Sequence, residues 1–357
     1  MNKESQQFLL NLLETPSPSG FEQGIQKVVR KHMTKYADDI NIDIHGNLIA
    51  SWNPEGSVKV MLAGHCDQIG LMVNHINDNG FIHFGSIGGI DPAVLPGSYI
   101  TIHAREGKVE GVIGHKPVHL ITPEERGKQV SMSNLWIDIG AASGDETKKL
   151  VSVGDPITFK LAANMLNKNI IASAGCDDKV GLFVCMEALR IVSTTIPKRK
   201  KHPVALYAVS TVQEEIGLRG AKTSCYGIDP LVGIAVDVTH ASDNPGADAK
   251  NIGSVKLGKG PTIARGANIN PVLEELLVDT AKKKKLPYQP LSAPNATGTD
   301  ANAIQISKAG VAAALIGIPN RYMHTQVEIC DLRDLETAAK LIAETVIRIT
   351  SRTSFIP

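Results

Sequence analysis

The sequence reads VKVMLAGHCD at residues 58–67, a short apolar run that ends in a histidine and an aspartate. A continuous apolar run of this length is typical of a strand that is buried on both faces. Three further runs have the same character, and helical patterns lie around them. Strands that alternate with helices predict an α/β domain with a mostly parallel sheet flanked by helices. The four predicted strands are VKVMLA (58–63), VALYAVSTV (204–212), VGIAV (232–236) and VAAALIGI (311–318).

Three segments have helical patterns. Residues 180–192 are apolar on nearly every side, which predicts a well-buried helix. A second helix is predicted at 271–285, with Asn270 as its N-cap and Pro271 at its first position. A third is predicted at 332–350, where apolar residues recur with helical spacing.

The middle of the chain differs from the rest. From about residue 70 to 163 no helix is predicted, and short strand-like runs are separated by turn signals. LMVNHIN and FIHFG, joined by Asp-Asn-Gly at 78–80, predict a hairpin. We therefore expect a small all-β domain inserted into the α/β domain. The predicted domains are a discontinuous catalytic domain at 1–68 and 164–357 and an inserted β domain at 69–163.

Composition narrows the class of protein. The chain has 357 residues, 43% hydrophobic and 20% charged, which favours a soluble globular enzyme with two domains. A net charge of +1 gives no reason to expect nucleic acid or an anionic membrane as a partner. No signal-peptide pattern and no apolar run near the ~20 residues of a membrane span are visible. Five scattered cysteines without a CxxC pair indicate reduced thiols, so we expect a cytoplasmic protein.

Acids or histidines follow all four predicted strands. In open α/β sheets, ligands bind beyond the carboxyl ends of the strands. A fifth acidic site, Asp177-Asp178, comes just before the helix at 180–192, where backbone N–H groups favour anions. Histidines and carboxylates that converge on one sheet edge indicate a metal site. The candidates at the strand ends are His65, Asp67, Glu214, Glu215, Asp237 and His324.

The number of candidate ligands exceeds what one ion needs. Histidine and carboxylate ligands suit Zn²⁺, Co²⁺ or Mn²⁺, and two such ions could share a carboxylate and activate a water. If the first strand continues past His65, Asp67 lies on the same side and could fix the imidazole tautomer. Of the neighbours Glu214 and Glu215, one would bind metal while the other accepts a proton from the water. The residues alone do not assign the two roles.

Several candidates have a structural alternative. Asp177 and Asp178 could be helix N-caps, although we expect one of them to bind metal. His240 is more consistent with a structural role, and Cys66 and Cys176 with small buried side chains. The basic run 198–201 and the histidines of the β region are interpreted as surface or packing residues. Those histidines are His75, His83, His103, His115 and His119.

Six motifs, in register over nearly the whole chain, resemble the tetrahedral aminopeptidase family of two-metal peptidases. This family includes glutamyl aminopeptidases and proteins named cellulase M. The segments PSPSGFE (16–22) and GVIGHKPVHL (111–120) extend the resemblance. The six motifs are AGHCDQIG (63–70), CDDKVG (176–181), VQEEIGLRGA (212–221), DVTHASDNPG (237–246), TGTDANAI (297–304) and IPNRYMHT (318–325).

The resemblance implies a set of metal ligands. His65, Asp177 and Asp237 would bind one ion. Asp177, Glu215 and His324 would bind the other, so that Asp177 would bridge the pair. The expected cofactors are thus two divalent ions per subunit, Zn or Co in preference to Mn.

The resemblance also implies a zinc-peptidase-like fold and roles for two further residues. Asp67 would orient the first histidine, and Glu214 would be the general base. The β insert would mediate dimerisation, and dimers could build a hollow dodecamer. The chain departs from the family pattern at Lys179, where Arg is usual, and at Cys176, where Leu or Phe is usual.

These observations predict a metal-dependent aminopeptidase that acts on peptides with a free N-terminus. One alternative is an endoglucanase, as the name cellulase M suggests. Aromatic residues make up only 4%, and Trp52 and Trp136 are the two tryptophans, so a sugar-stacking cleft is hard to build. A second alternative is a metal-stabilised assembly protein without catalysis, against which the intact Glu214 argues.

Overall fold

The computed structural model describes residues 1–124, 127–197 and 202–357. Within these residues the helices are α1 (Lys3–Glu14), α2 (Gln23–Met33), α3 (Gly144–Leu150), α4 (Cys176–Thr195), α5 (Arg219–Ile228), α6 (Ala249–Ile252), α7 (Pro271–Lys284), α8 (Asp300–Gln305) and α9 (Leu332–Arg348). The strands are β1 (Asp39–Ile42), β2 (Leu48–Trp52), β3 (Val58–His65), β4 (Gly70–Ile76), β5 (Ile82–Ile87), β6 (Tyr99–Ala104), β7 (Gly107–Gly114), β8 (Trp136–Asp138), β9 (Pro156–Phe159), β10 (Asn164–Met165), β11 (Ile170–Ser173), β12 (Val204–Thr211), β13 (Val232–His240), β14 (Thr262–Gly266), β15 (Gln289–Ala293), β16 (Ala312–Arg321) and β17 (Glu328–Asp331).

A large mixed sheet forms the body of the molecule. Its order is β1-β2-β12-β3-β13-β16-β17-β11-β10, with β14 against β16 and β15 against β14. The central strands β12, β3, β13 and β16 are mutually parallel, and the strands outside them add antiparallel pairs. The predicted α/β fold, a large sheet flanked by helices, is confirmed. All four predicted strands are the parallel ones at its centre.

Both faces of the central sheet are buried, as the continuous apolar runs predict. In β3, Val60 and Leu62 join a core cluster with α4 and α9, whereas Met61 and Ala63 face a second cluster on the opposite side. Strands covered on both faces need no polar alternation.

Helix α4 packs directly against β3 and sets the position of its own N-terminus. A Cβ atom at Gly64 would lie 2.5 Å from the backbone nitrogen of Leu182, so this approach requires glycine. The close packing brings Asp177, at the start of α4, to the end of β3. Although α4 is buried nearly all round, no helix among the described residues is long and apolar enough to cross a membrane.

The inserted region contains a closed barrel in the order β4-β5-β8-β7-β6-β9, with its own apolar core. β4 and β5 pair antiparallel across the turn at Asp78-Asn79-Gly80, as the hairpin motif predicts. The expectation of no helix between 70 and 163 is wrong, because α3 lies at Gly144–Leu150. The exact domain boundaries at 69 and 163 stay a prediction.

Two strand ends differ from the prediction in ways that matter for the site. β3 ends at His65, so Asp67 lies in the following loop and not on the strand. β13 continues to His240, so Asp237 lies inside this strand and not beyond it. The barrel also follows the third strand along the chain, since β1 and β2 precede β3.

The three predicted helices are present with small shifts at their ends. α7 begins at Pro271, and the side chain of Asn270 accepts a hydrogen bond from the backbone nitrogen of Leu273. α9 ends at Arg348, two residues before the predicted boundary. α4 begins earlier than predicted, at Cys176, although Asp177 and Asp178 have non-helical backbone angles.

Candidate metal centre

Five structural elements bring the predicted ligands together at one edge of the sheet. His65 ends β3, and Asp177 stands at the start of α4. Glu214 and Glu215 occupy the turn after β12, while Asp237 lies in β13. His324 lies in the loop between β16 and β17.

Asp177 lies between the two histidines. Its Oδ1 is 3.2 Å from Nε2 of His65, and its Oδ2 is 3.2 Å from Nε2 of His324. Each carboxylate oxygen therefore faces a different imidazole.

The remaining acids divide between the two histidines. Nε2 of His65 lies 3.7 Å from Oε2 of Glu214 and 4.0 Å from Oδ1 of Asp237. Nε2 of His324 lies 3.5 Å from Oε2 of Glu215. Glu214 and Glu215 thus point to different halves of the cluster, as adjacent residues in a turn can.

The backbone at this edge adopts conformations that most residues avoid. Gln213, Tyr322 and His324 have φ of 55°, 62° and 60°, in the left-handed region. Non-glycine residues with such angles are concentrated at functional sites, where the surrounding structure holds them in place.

Asp67 holds this edge together through hydrogen bonds to backbone and side chains. Its carboxylate accepts the backbone N–H groups of Glu214 at 3.0 Å and Glu215 at 3.2 Å. The hydroxyl of Ser19 donates to the same carboxylate at 2.7 Å. Nδ1 of His65 is 3.0 Å from the backbone carbonyl oxygen of Asp67, closer than the 3.6 Å to its carboxylate. The carbonyl, more than the carboxylate, therefore orients the ring.

Burial and mutual repulsion perturb the acids of the cluster. Burial, with nearby carboxylates adding to it, raises the pKa of Glu214 to about 10 and that of Glu215 to about 8. The pKa of Asp237 is raised well above its ordinary value for the same reasons. Burial opposes the ionisation of Asp177, but hydrogen bonds from His324 and His65 hold its pKa below the usual range.

The cluster has the properties of a cation site. Oε1 of Glu215 is buried and has no hydrogen-bond partner. Ligand atoms of His65, Asp177 and Glu215 lie within 4.8 Å of one another, as do those of His65, Asp178 and Asp237. Buried carboxylates that repel one another and histidines that face them are what a divalent cation stabilises.

A cavity of about 630 Å³ opens over the cluster. Its floor is formed by the histidines and acids described above. Its walls are formed by residues of β13, β15 and β16, by the loops after β12, β15 and β16, and by Gly89 after β5. Ligand sites in α/β proteins lie at this end of the strands.

The family model of M42 glutamyl aminopeptidases matches residues 46–341. The chain belongs to this family. Lysyl aminopeptidase of Pyrococcus furiosus is 39% identical over 339 residues, which cover 94% of each chain. The family consists of peptidases, so the expected class of enzyme is confirmed, and the cluster supports metal dependence.

Solved structures of similar proteins share the fold over nearly the full length. A TET aminopeptidase from a Thaumarchaeota archaeon has a TM-score of 0.92 at 33% identity, covering 98% of this chain and 97% of its own. TET1 peptidase of Pyrococcus horikoshii, which can assemble into a tetrahedron or a large octahedral shell, has 0.84 at 30%, covering 97% and 100%. A Thermotoga maritima protein named endoglucanase has 0.76 at 30%, covering 95% and 96%.

Sequence reasoning missed Glu328, which lies directly behind the M42 cluster. It is 1% exposed, and its two oxygens accept the backbone N–H groups of Asp177 at 2.8 Å and His324 at 2.9 Å. It therefore fixes the backbone of both residues. An acid in the strand EICD (328–331) gives no sequence signal that separates it from a surface residue.

Two other buried acids border the site. Glu22 accepts the backbone N–H groups of Gly20 and Gln213, and burial raises its pKa to about 7. Asp300 accepts the hydroxyl of Thr211 at 2.6 Å, and burial raises its pKa to about 6. Both lie in motifs that carry the family resemblance, which was the available signal.

The structure also locates the residues for which the sequence allowed a purely structural role. Asp178 accepts backbone N–H groups of His65 and Gly181, so its oxygens already have protein partners. His240 is exposed at the cavity wall. Cys66 and Cys176 are buried free thiols. The basic run 198–201 lies outside the described residues.

Proposed function

We propose that this M42 family member is an aminopeptidase that removes residues from the N-terminus of peptides with the help of two divalent ions. The observation that carries the proposal is the placement of Asp177, whose two oxygens each lie 3.2 Å from a different histidine Nε2. A carboxylate placed in this way can bridge two cations. Zn²⁺ or Co²⁺ fits the ligand set best, and Mn²⁺ is compatible with it.

The ligands divide into two sets that share Asp177. His65 and Asp237 complete one set, and Glu215 and His324 complete the other. The unpartnered Oε1 of Glu215 supports its place as a ligand. Asp178 is the weaker candidate, since backbone N–H groups occupy its oxygens.

Bound divalent ions would supply Lewis acidity and lower the pKa of a water nucleophile. Glu214, at the edge of the cavity and 3.7 Å from His65, is placed to accept the proton of the attacking water. It then returns the proton to the amine that leaves. Asp67 acts behind it, because its carboxylate holds the backbone of both glutamates.

The endoglucanase alternative fits the site less well. Glycosidases usually work with two carboxylates that flank the bond and need no histidines. Here each histidine lies within 3.5 Å of an acid of the cluster, an arrangement that supports a cation site in preference to a glycosidase carboxylate pair. The name of the similar Thermotoga maritima protein does not change this reading.

The proposal extends to compartment and assembly. All five cysteines are free and buried, which suits the reducing cytoplasm. The similar Pyrococcus horikoshii peptidase can assemble into a tetrahedron or a large octahedral shell, and the similar PhTET1-12s is a dodecamer. These assemblies support a homo-oligomer here, which we propose is built from dimers, up to a dodecamer. Peptides with a free N-terminus are the proposed partners, and nucleic acid and membranes are not.

One experiment tests the proposed function directly. The purified protein is assayed on a free peptide and on the same peptide with an acetylated N-terminus, before and after exhaustive treatment with EDTA. We expect cleavage of the free peptide alone, its loss on chelation and its return with Zn²⁺ or Co²⁺. Equal rates on both peptides would contradict an aminopeptidase, and full activity after metal loss confirmed by elemental analysis would contradict the metal site.

A further inference from the structure

Beyond the clustered ligands, the cavity walls are apolar. The side chains that form them include Leu218, Val238, Leu291, Leu315 and Met323. These residues line the same cavity as the cluster. The side chain of a substrate's N-terminal residue, bound in this cavity, would therefore contact them.

Two hydroxyls in the walls are already bonded, whereas His240 is exposed at the wall. The hydroxyl of Thr297 donates to Asn268 at 2.7 Å and lies 2.8 Å from the hydroxyl of Thr299. Gly217 and Gly298 add backbone without side chains. The bonded hydroxyls and the glycines provide no charged group that could pair with a charged substrate side chain.

No Lys or Arg, and no acid outside the cluster, lines the cavity in the part of the chain that the structure describes. The acids of the cluster face histidines at 3.2–4.0 Å and are the proposed metal ligands and general base, so they are not available to pair with a substrate side chain. The nearby Arg321 is held by Asp243 at 2.8 Å and is not part of the lining. A cationic side chain would therefore lose its hydration without gaining a partner, and an anionic one would have only the exposed imidazole of His240 among the described lining residues outside the cluster.

We propose that the cavity selects peptides whose N-terminal residue has a neutral, aliphatic side chain, such as Leu or Met, and disfavours Lys, Arg, Asp and Glu at that position. This rests on the proposed aminopeptidase function and specifies its substrate class. It differs from the specificities in the names of the family and of the lysyl aminopeptidase relative. A wall without Lys, Arg or further acids disfavours charged residues of both signs relative to aliphatic ones.

The test compares kcat/KM for Leu-, Met-, Lys- and Glu-p-nitroanilides with the metal-loaded protein. We expect the Leu and Met substrates to exceed Lys and Glu by at least ~10-fold, the scale on which apolar pockets discriminate. A smaller ratio, or a preference for Lys or Glu, overturns the inference. Absence of turnover on every substrate and on free peptides would instead refute the proposed function.

Charge placed in the wall gives a second, independent readout. Leu291 is half-buried in β15 and lines the cavity. We expect Leu291→Lys to raise the Glu-to-Leu ratio of kcat/KM and Leu291→Glu to raise the Lys-to-Leu ratio, each by ~10-fold or more. Leu291→Gln, polar but neutral, is the matched control and should not separate Lys from Glu. If both charged variants bind metal and keep the wild-type ratios, the wall does not set the specificity.

Discussion

Glu214 and Glu215 are neighbours in the chain but face different groups. Glu214 approaches His65, whereas Glu215 approaches His324 and has one buried oxygen without a partner. The two side chains leave a tight turn in different directions, and their backbone is fixed by one carboxylate, that of Asp67. Two neighbouring carboxylates can therefore have different roles, which we propose are general base for Glu214 and metal ligand for Glu215.

The first prediction separates these purposes. We expect Glu214→Gln to retain both metals and lose turnover by on the order of 10²–10⁴-fold, because the amide cannot accept the proton of water. Glu215→Gln should lose one metal, since a neutral amide is a weaker ligand. Metal content and turnover are measured on the same preparations. A position-215 variant with two metals beside a position-214 variant with one would reverse the roles.

The raised pKa values predict how the metal-free protein responds to pH. Glu215 and Glu214 hold their protons up to about pH 8 and 10 in the folded state, against an ordinary pKa of 4.5. Folding then binds protons that the unfolded chain releases, so the free energy of unfolding falls as pH rises through this range. We expect the melting temperature of the EDTA-treated protein to fall by several degrees from pH 6 to pH 9.

The control for this prediction is the metal-loaded protein. Bound cations stabilise the ionised carboxylates, so its melting temperature should fall less over the same range. The double variant Glu214→Gln/Glu215→Gln should flatten the metal-free curve. A melting temperature of the metal-free wild type that stays constant or rises would contradict the assignment.

At the scale of elements, the segment between α1 and α2 supports the site from behind. The hydroxyl of Ser17 donates to the carbonyl of Cys66 at 2.7 Å, and that of Ser19 to the carboxylate of Asp67 at 2.7 Å. Nζ of Lys179 donates to the carbonyl of Thr15 at 2.7 Å and also bonds Gln68. This segment is tied to the loop that follows His65 and limits how that loop can move.

We expect Ser19→Ala to reduce metal affinity or turnover by ~10-fold, because partners that orient ligands from behind typically contribute ~10–100-fold. Ser19 is 5% exposed and Asp67, its acceptor, is fully buried, so water cannot replace the bond without rearrangement. Metal titration and steady-state kinetics measure the effect. Thr34→Ala removes a hydroxyl bond of equal length at an exposed helix end and is the matched control. If both variants had wild-type metal affinity and turnover, the segment between α1 and α2 would not support the site.

How far the sequence predicts the elements depends on how they are buried. The central strands could be predicted from the sequence because they are buried on both faces and therefore continuously apolar. The outer strands, such as β10 with the residues Asn164–Met165, are too short and polar to give a pattern. These strands form because they pair with neighbouring strands, and the periodicity of their own sequence carries no information about that pairing.

The missed helix α3 did have a local signal. Ser143 caps it by accepting the backbone N–H of Glu146, whose side chain accepts the N–H of Ala142. This is a serine followed three residues later by glutamate, the pattern of a capping box. By contrast, the role of Glu328 depends on a contact 151 residues along the chain, which no local pattern encodes.

For the whole molecule, the barrel is joined to the site as well as to its own core. The carbonyl oxygen of Gly89 lies 2.7 Å from Nδ1 of His324. Removing the barrel would therefore disturb a candidate ligand along with any interface. Its role in assembly is better tested by changing its surface.

We expect charged substitutions on the barrel to break the oligomer. Tyr99 and Val112 face each other across β6 and β7 and are 65% and 39% exposed, so they form an apolar surface. Tyr99→Glu/Val112→Glu should sediment as a smaller species than the wild type. Ile306→Glu, at a 72% exposed residue outside the barrel, is the control and should keep the native size. If the barrel variant also keeps it, the interface lies elsewhere.

The proposed ligands come from widely separated parts of the chain, and this has a consequence during synthesis. A ribosome releases His65 before the barrel, Asp177 after it, and His324 only once β16 has been made. Domains fold as the chain emerges, but this site cannot close until its last contributor is free of the ribosome. A chain that is still being synthesised therefore lacks a complete metal site and cannot yet remove N-terminal residues from other nascent chains nearby.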